Sequence, residues 1–273
     1  MQTLAEIRAL LDARGLAPRK RLGQNFLVDH NLIRKLVAAS QVGKGDLVLE
    51  VGPGTGALTD ELLDRGCDVI ACELDAGLAE LLRERHGAQI RSGRLRLVEG
   101  DCLAGKRGLS QEIEAALGSR RFRLVANLPY GAATPLMLAL LCDDRCLGQF
   151  VTIQREVADR MLAGPGSKAY GSISVIAQTL ASVERIAVLP PECFWPRPDV
   201  TSAMVSLVPA EAAGIGDRRA FAAFCQRVFA NRRKQLAKVL PGIALPIGVP
   251  PTERAERLDV ATVAGLYRSC EAG

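Results

Sequence analysis

Short apolar runs alternate with amphipathic stretches over the first two-thirds of the chain. "LVLEVG" (47–52), "VIACELD" (69–75), "LRLVEGD" (95–101), "RLVANLP" (123–129) and "FVTIQ" (150–154) are β-branched and apolar, and each has strand length. Between them, "ALTDELLDRG", "AGLAELLRERHG", "LSQEIEAALG" and "TPLMLALLCDD" place apolar residues three and four apart, the helical period. This alternation predicts an α/β fold, a parallel sheet with helices on both faces. "ERIAVLP" and "AMVSLVP", joined by the Pro-rich "PPECFWPRPDV", predict two more strands that could close the sheet antiparallel. The opening "MQTLAEIRALLDARG" predicts a short amphipathic helix with Leu4, Ile7, Leu10 and Leu11 on one face. After Pro209 the pattern changes. "AEAAGIGD" reads as a linker, and "RRAFAAFCQRVFANRRKQLAKVL" and "PTERAERLDVATVAGLYRSC" read as helices. The expected domains are therefore 1–209, α/β, and 210–273, small and helical.

Composition narrows the class. No apolar run reaches the length of a membrane span, so no membrane role is expected. Glu6 and Asp12 near the start argue against a signal or transit peptide. The 8 cysteines form no C-x-x-C pair and there are only 2 histidines, so reduced thiols, a cytoplasmic location and no metal are expected. Formal net charge is a mild +5, but from Ala210 onward 10 basic residues face 6 acidic ones, so the helical tail carries most of the excess.

The candidate chemistry sits at the strand ends. "LEVGPGTGALT" puts Gly52, Gly54 and Gly56 between a strand and a helix, where backbone can approach a ligand and free N–H groups face it. Glu73 ends the next strand, placed to accept from ribose hydroxyls, and Asp101 ends the third. Gly52, Gly54 and Ala57 also fit a dinucleotide fingerprint, so a nicotinamide-dependent oxidoreductase stays open. Two details favour S-adenosylmethionine: Glu50 precedes the first glycine, and Asp101 suits an adenine amino group. A pyrophosphate beside a further carboxylate is unfavourable, whereas a methionine tail carries its own ammonium.

The fourth strand ends in Asn127, Leu128, Pro129 and Tyr130, on the same rim. An exocyclic amine such as adenine N6 is a poor nucleophile, because its lone pair is delocalised. It needs acceptors for its two hydrogens. The Asn127 side-chain oxygen and the Leu128 carbonyl, aimed by Pro129, are candidates, and Tyr130 offers a flat face for the base. Catalysis here would be positioning and electrostatics, with no strong base.

With these residues in view, the chain resembles the ribosomal RNA adenine dimethyltransferase family, most of all its bacterial 16S rRNA branch. The resemblance runs from about Arg19 to the C-terminus. It rests on "RKRLGQNFL", "EVGPGTGALT", "ACELD", "EGDCL", "NLPY", "QREVADRMLAGPGSKAYGSISV", "FWPRPDVTSAMVSL" and "FANRRKQLAKVL" in that order. It implies a Rossmann-like sheet binding S-adenosylmethionine and releasing S-adenosylhomocysteine. Asn25 and Leu27 would contact the methionine end beside Gly52 and Gly54. Glu73 would take the ribose, Asp101 the adenine, and Asn127 both donor and target amine. Phe194 would be a second aromatic on the flipped base, beside Tyr130, with Trp195 at a variable position. The implied substrate is two adjacent adenosines in a hairpin loop near the 3′ end of small-subunit rRNA, each dimethylated at N6. The implied partner is the immature small subunit, met by a monomer. Arg19, Lys20, Arg21, Arg232, Arg233, Lys234 and Lys238 are the expected phosphate contacts, and Lys168 and Tyr170 of "GPGSKAYG" could face RNA too. Open alternatives are a large-subunit rRNA methyltransferase of the macrolide-resistance type, and an assembly factor that binds first and methylates second.

Overall fold

A computed structural model describes residues 2–105, 108–210, 214–242, 245 and 248–271. Residues 211–213, part of the expected linker, lie outside the described residues.

Seven strands form one sheet: β1 (Leu47–Val51), β2 (Asp68–Glu73), β3 (Leu95–Glu99), β4 (Phe122–Asn127), β5 (Cys146–Gln154), β6 (Ala181–Leu189) and β7 (Ser202–Pro209). Their order is 3-2-1-4-5-7-6, so the two strands flanking "PPECFWPRPDV" do join the same sheet. β1 pairs in parallel with β2 and β4, β2 with β3, and β4 with β5. Every residue of β1 is buried, as an unbroken apolar run in a central parallel strand requires. From β1 the chain moves outward to β2 and β3, then returns to β4 on the other side. β1 and β4 therefore flank the switch point, and ligands in such sheets bind outside the strand C-termini there.

Helices flank the sheet. Ile33, Leu36 and Val37 of helix His30–Ser40 and Leu58 and Leu62 of helix Ala57–Asp64 share a core with Val48, Val69, Val125, Phe150 and Met204 of the strands. The first helix, Leu4–Asp12, starts in a capping box made by Thr3 and Glu6. It buries Ile7 and Leu11 beside Phe26, Leu78 and Leu81, each burial worth roughly 1.5–3 kcal/mol. Leu4 and Leu10 are half-buried. One helix starts earlier than its apolar period suggests. It runs Tyr130–Leu141 with Pro129 as its N-cap, so the Asn-Leu-Pro-Tyr corner is a direct strand-to-helix turn.

The chain divides into two compact units, Met1–Arg155 with Arg185–Ser206, and Glu156–Glu184 with Leu207–Gly273. Residues 156–184, which the sequence pattern groups with the sheet, cluster with the C-terminal helices, because helix Ser172–Leu180 packs on helices Arg218–Phe229 and Val260–Glu271.

Candidate active site

A cavity of about 700 Å³ opens at the C-terminal ends of β1, β2 and β4, and all its lining residues belong to the first unit. Gly52, Gly54, Glu73, Asp101, Asn127, Leu128, Pro129 and Tyr130 line it from the strand ends. Leu27 and Phe194 line it from a two-stranded ribbon in which Phe26 pairs with Trp195 and Leu27 with Phe194, and Asn25 lines it from the position just before that ribbon. Lys20 and Arg21 are exposed and also reach the wall. Arg19 does not line the cavity. Its guanidinium lies 3.2 Å from Asp75, and its N–H donates to the Gln24 side chain at 2.7 Å.

The glycines have two reasons to be glycine. Gly52 and Gly54 have φ of 73° and 60°, a backbone region L side chains avoid. A methyl at Gly54 would stand 2.8 Å from two ring atoms of Phe26, and one at Gly52 would stand 3.1 Å from the Pro129 ring. The loop is thus held between the ribbon and the Asn-Leu-Pro-Tyr corner. Phe26 is itself fixed, stacked on Trp195 at 6.2 Å, with the Arg8 guanidinium 5.2 Å above the indole.

Three carboxylates face the cavity in different states. Burial raises the Glu73 pKa, opposed by hydrogen bonds that its two oxygens accept from the N–H groups of Asp75 (3.0 Å) and Gly54 (3.1 Å). Each oxygen keeps a second lone pair. Asp101 is exposed, and one of its oxygens accepts from the Leu103 N–H at 2.9 Å, leaving the other for a ligand. Glu50 is wholly buried. One oxygen accepts from the Thr59 hydroxyl at 2.7 Å, and among the described residues the other has no partner. Burial pushes its pKa up to about 8. A buried oxygen without a donor is a liability of roughly 1–3 kcal/mol. A ligand ammonium supplies a donor to that oxygen and favours the ionised form, which a pyrophosphate cannot do. The residues therefore fit S-adenosylmethionine better than a dinucleotide. The acid ahead of the first glycine, which the sequence sets beside a methionine tail, thus lies in the cavity wall.

The corner is set for a target amine. The Asn127 amide nitrogen donates to the Asn25 carbonyl at 2.9 Å, and among the described residues no donor is seen on its oxygen. Leu128 is buried, its N–H donates to the Thr152 carbonyl at 3.1 Å, and among the described residues no donor reaches its own carbonyl. The Tyr130 hydroxyl shares a hydrogen bond with Ser202 at 2.8 Å, which pins the far end of the ring, and burial raises the phenol pKa. Phe194 is 4% exposed, a wall beside these groups.

In the second unit Arg233, Lys234 and Lys238 are exposed, as phosphate contacts need to be. Arg232 differs from the expectation: its fork turns inward, onto the carbonyls of Tyr170 and of Lys168 (3.1 Å). Tyr170 is also corrected. It is fully buried, its hydroxyl donates to the Leu258 carbonyl at 2.8 Å, and it cannot face RNA. Among the described residues no cluster of His, Cys, Asp and Glu is fit for a metal, and no helix is long and apolar enough to cross a membrane.

Comparisons with known proteins point to one family. The family model for ribosomal RNA adenine dimethylase matches residues 15–245. A ribosomal RNA small subunit methyltransferase A of Nocardia farcinica is 40% identical, over 96% of this chain and 93% of that protein. Its counterpart from Caulobacter vibrioides is 42% identical, over 93% and 98%. Among solved structures, a dimethyladenosine transferase from Plasmodium falciparum superposes with a TM-score of 0.70 at 22% identity, covering 87% of this chain and 94% of that one. The 23S rRNA methyltransferase ErmE does so at 0.68 and 21% identity, covering 90% and 100%. At those identities the two structures speak for the shared fold alone.

Proposed function

The chain belongs to the ribosomal RNA adenine dimethylase family, and from that premise we propose that it dimethylates N6 of two adjacent adenosines in a hairpin loop near the 3′ end of small-subunit rRNA. The enzyme is an rRNA adenine dimethyltransferase that depends on S-adenosylmethionine. S-adenosylmethionine supplies an electrophilic methyl group on a sulfonium. Glu50 would accept from the ammonium of its methionine end, covered by Asn25 and Leu27 beside Gly52 and Gly54. Glu73 would take the ribose hydroxyls and Asp101 the adenine amine.

The observation that carries the reading is the Asn127 amide, its nitrogen held by the Asn25 carbonyl and its oxygen without a donor among the described residues. That oxygen and the Leu128 carbonyl accept the two hydrogens of the target amine, and the lone pair is then aimed away from both. Tyr130 and Phe194 hold the base by stacking. A nitrogen that takes the methyl, with the sulfonium's carbon–sulfur bond breaking to a neutral thioether, would become acidic, and its proton would pass to solvent water without a dedicated base. The protein supplies orientation and fixed dipoles. In the second round one hydrogen remains, and one of the two acceptors suffices. A loop adenosine suits such a site, since extruding a duplex base adds a few kcal/mol of unstacking.

Lys20 and Arg21 at the cavity wall, and Arg233, Lys234 and Lys238 of the second unit, support phosphate contacts with an immature small subunit, while Arg19 is paired with Asp75. The proposed location is the cytoplasm, and the proposed state is a monomer, since among the described residues one unit of one chain lines the cavity. The test is mass spectrometry of rRNA after incubating immature small subunits with protein and donor. The expected product is N6,N6-dimethyladenosine at two adjacent positions near the 3′ end. Methylation confined to large-subunit rRNA, or none at all, would overturn the assignment.

A further inference from the structure

Two stretches singled out by the sequence, "GPGSKAYG" and "FANRRKQL", meet in the second unit, and their meeting point is Arg232. Its guanidinium donates to the carbonyls of Tyr170 and Lys168, the latter at 3.1 Å, and lies 3.7 Å from the Glu256 carboxylate. The loop is tied at three further points. The Gly166 N–H donates to the Glu256 carbonyl at 2.7 Å, the Tyr170 hydroxyl donates to the Leu258 carbonyl at 2.8 Å, and the Tyr170 ring meets Phe229 edge-on at 5.7 Å. Residues 164–168 nevertheless remain exposed along their whole length. A fixed base under an exposed tip that ends in a lysine is how a protein presents a cation at a set position.

We propose that Arg232 is a positioning residue: it bolts the 164–171 loop to the C-terminal helices so that Lys168 is presented to the rRNA, and does not itself grip phosphate. Only arginine suits the place, because a planar fork can bond two carbonyls that a lysine ammonium on a flexible stem does not bridge in the same way. The proposal rests on the rRNA-methyltransferase reading for the identity of the partner. The bolt itself is a property of the free protein.

The test separates the two. Amide exchange at Gly166, whose N–H reports the loop's attachment, is measured in free protein for the parent, Arg232→Lys and Arg232→Gln. Binding to immature small subunits is then measured against salt for the same proteins and for Lys168→Ala. A bolt predicts that both Arg232 variants exchange Gly166 roughly tenfold faster or more, the scale of one lost charge-assisted hydrogen bond. Both would bind more weakly yet keep the parent's slope of log K against log salt, because an unbolted Lys168 still reaches phosphate but must be ordered as it binds. Lys168→Ala would lower that slope by about 1, the mark of a lost phosphate contact. Tyr170→Phe, which changes no charge, would also speed exchange at Gly166. The proposal is overturned if Arg232→Lys behaves as the parent while Arg232→Gln loses salt slope with Gly166 still protected. If Arg232→Gln does not fold, Arg232→Lys decides alone: parent-like exchange and binding reject the bolt. A parent that fails to methylate small-subunit rRNA would refute the functional reading, and the exchange data would still decide the bolt.

Discussion

Gly54→Ala tests whether the ribbon and the glycine loop are one mechanical object. The backbone there has φ of 60°, where an L residue costs roughly 1–2 kcal/mol. The new methyl would also stand 2.8 Å from two atoms of the Phe26 ring, well inside contact. The ring cannot swing clear, being buried and stacked on Trp195. Overpacking of this kind adds roughly 1–3 kcal/mol. The total, about 2–5 kcal/mol, emerges either as lost stability or as a ribbon lifted off the loop. Since Leu27 sits on the same ribbon and Asn25 just before it, lifting it weakens donor binding. Calorimetry with S-adenosylmethionine should find a loss of tenfold or more, at about 1.4 kcal/mol per decade. The diagnostic variant is Gly54→Ala with Phe26→Leu. A leucine vacates the space of the distal ring atoms, so the double variant should recover roughly 1–3 kcal/mol relative to the sum of the singles. Strict additivity within about 0.5 kcal/mol, or parent-like donor affinity in Gly54→Ala alone, would refute the contact as the cause.

Asn127→Ala should lower the single-turnover methyl-transfer rate by roughly 10²–10³-fold, the usual worth of one preorganised polar group at a reacting centre; rates measured at saturating donor check it. Tyr130→Ala should weaken target engagement by roughly 1–3 kcal/mol, one base–aromatic stack, while Tyr130→Phe, losing only the Ser202 hydrogen bond, should cost about 0.5–1.5 kcal/mol in stability. Glu50 titrates at about 8 in the folded protein against an ordinary 4.5. Its raised pKa means its contribution is most favourable below pH 4.5 and is lost as pH rises toward 8. Glu50→Gln, which cannot ionise, should therefore gain stability relative to the parent across that window, read from denaturation midpoints at pH 5 and pH 8. A difference that does not grow with pH would contradict the buried-acid account.

The strand ends were legible because a parallel sheet repeats one geometry. Once "LVLEVG" and "RLVANLP" read as parallel strands, Gly52 and Asn127 had to share a rim. Contacts between distant segments were not legible. Nothing in "GQNFL" says that Phe26 presses on Gly54, 28 positions away, because side-chain packing leaves no periodic trace. Arg232 misled for a related reason. A charge in a basic run reads as solvent-facing, and only the fold reveals two carbonyls beneath it. Residues 156–184 group with the C-terminal helices because their apolar faces find partners there, a choice that local pattern cannot express.

The bond from the Asn127 amide to the Asn25 carbonyl spans 102 positions of sequence, and its consequence is one of polarity. A carboxamide has a donor end and an acceptor end, related by a half-turn. The Asn25 carbonyl selects which end points into the pocket. Were the segment carrying Asn25 displaced, nothing else described at that carbonyl's place would hold the amide, and the turned-over form would offer N–H groups to an amine that also needs acceptors. Whatever seats the segment carrying Asn25 thereby sets the sign of the dipole that faces the cavity. One end of the side chain is spent on the protein's own backbone, and that choice fixes which end the cavity meets.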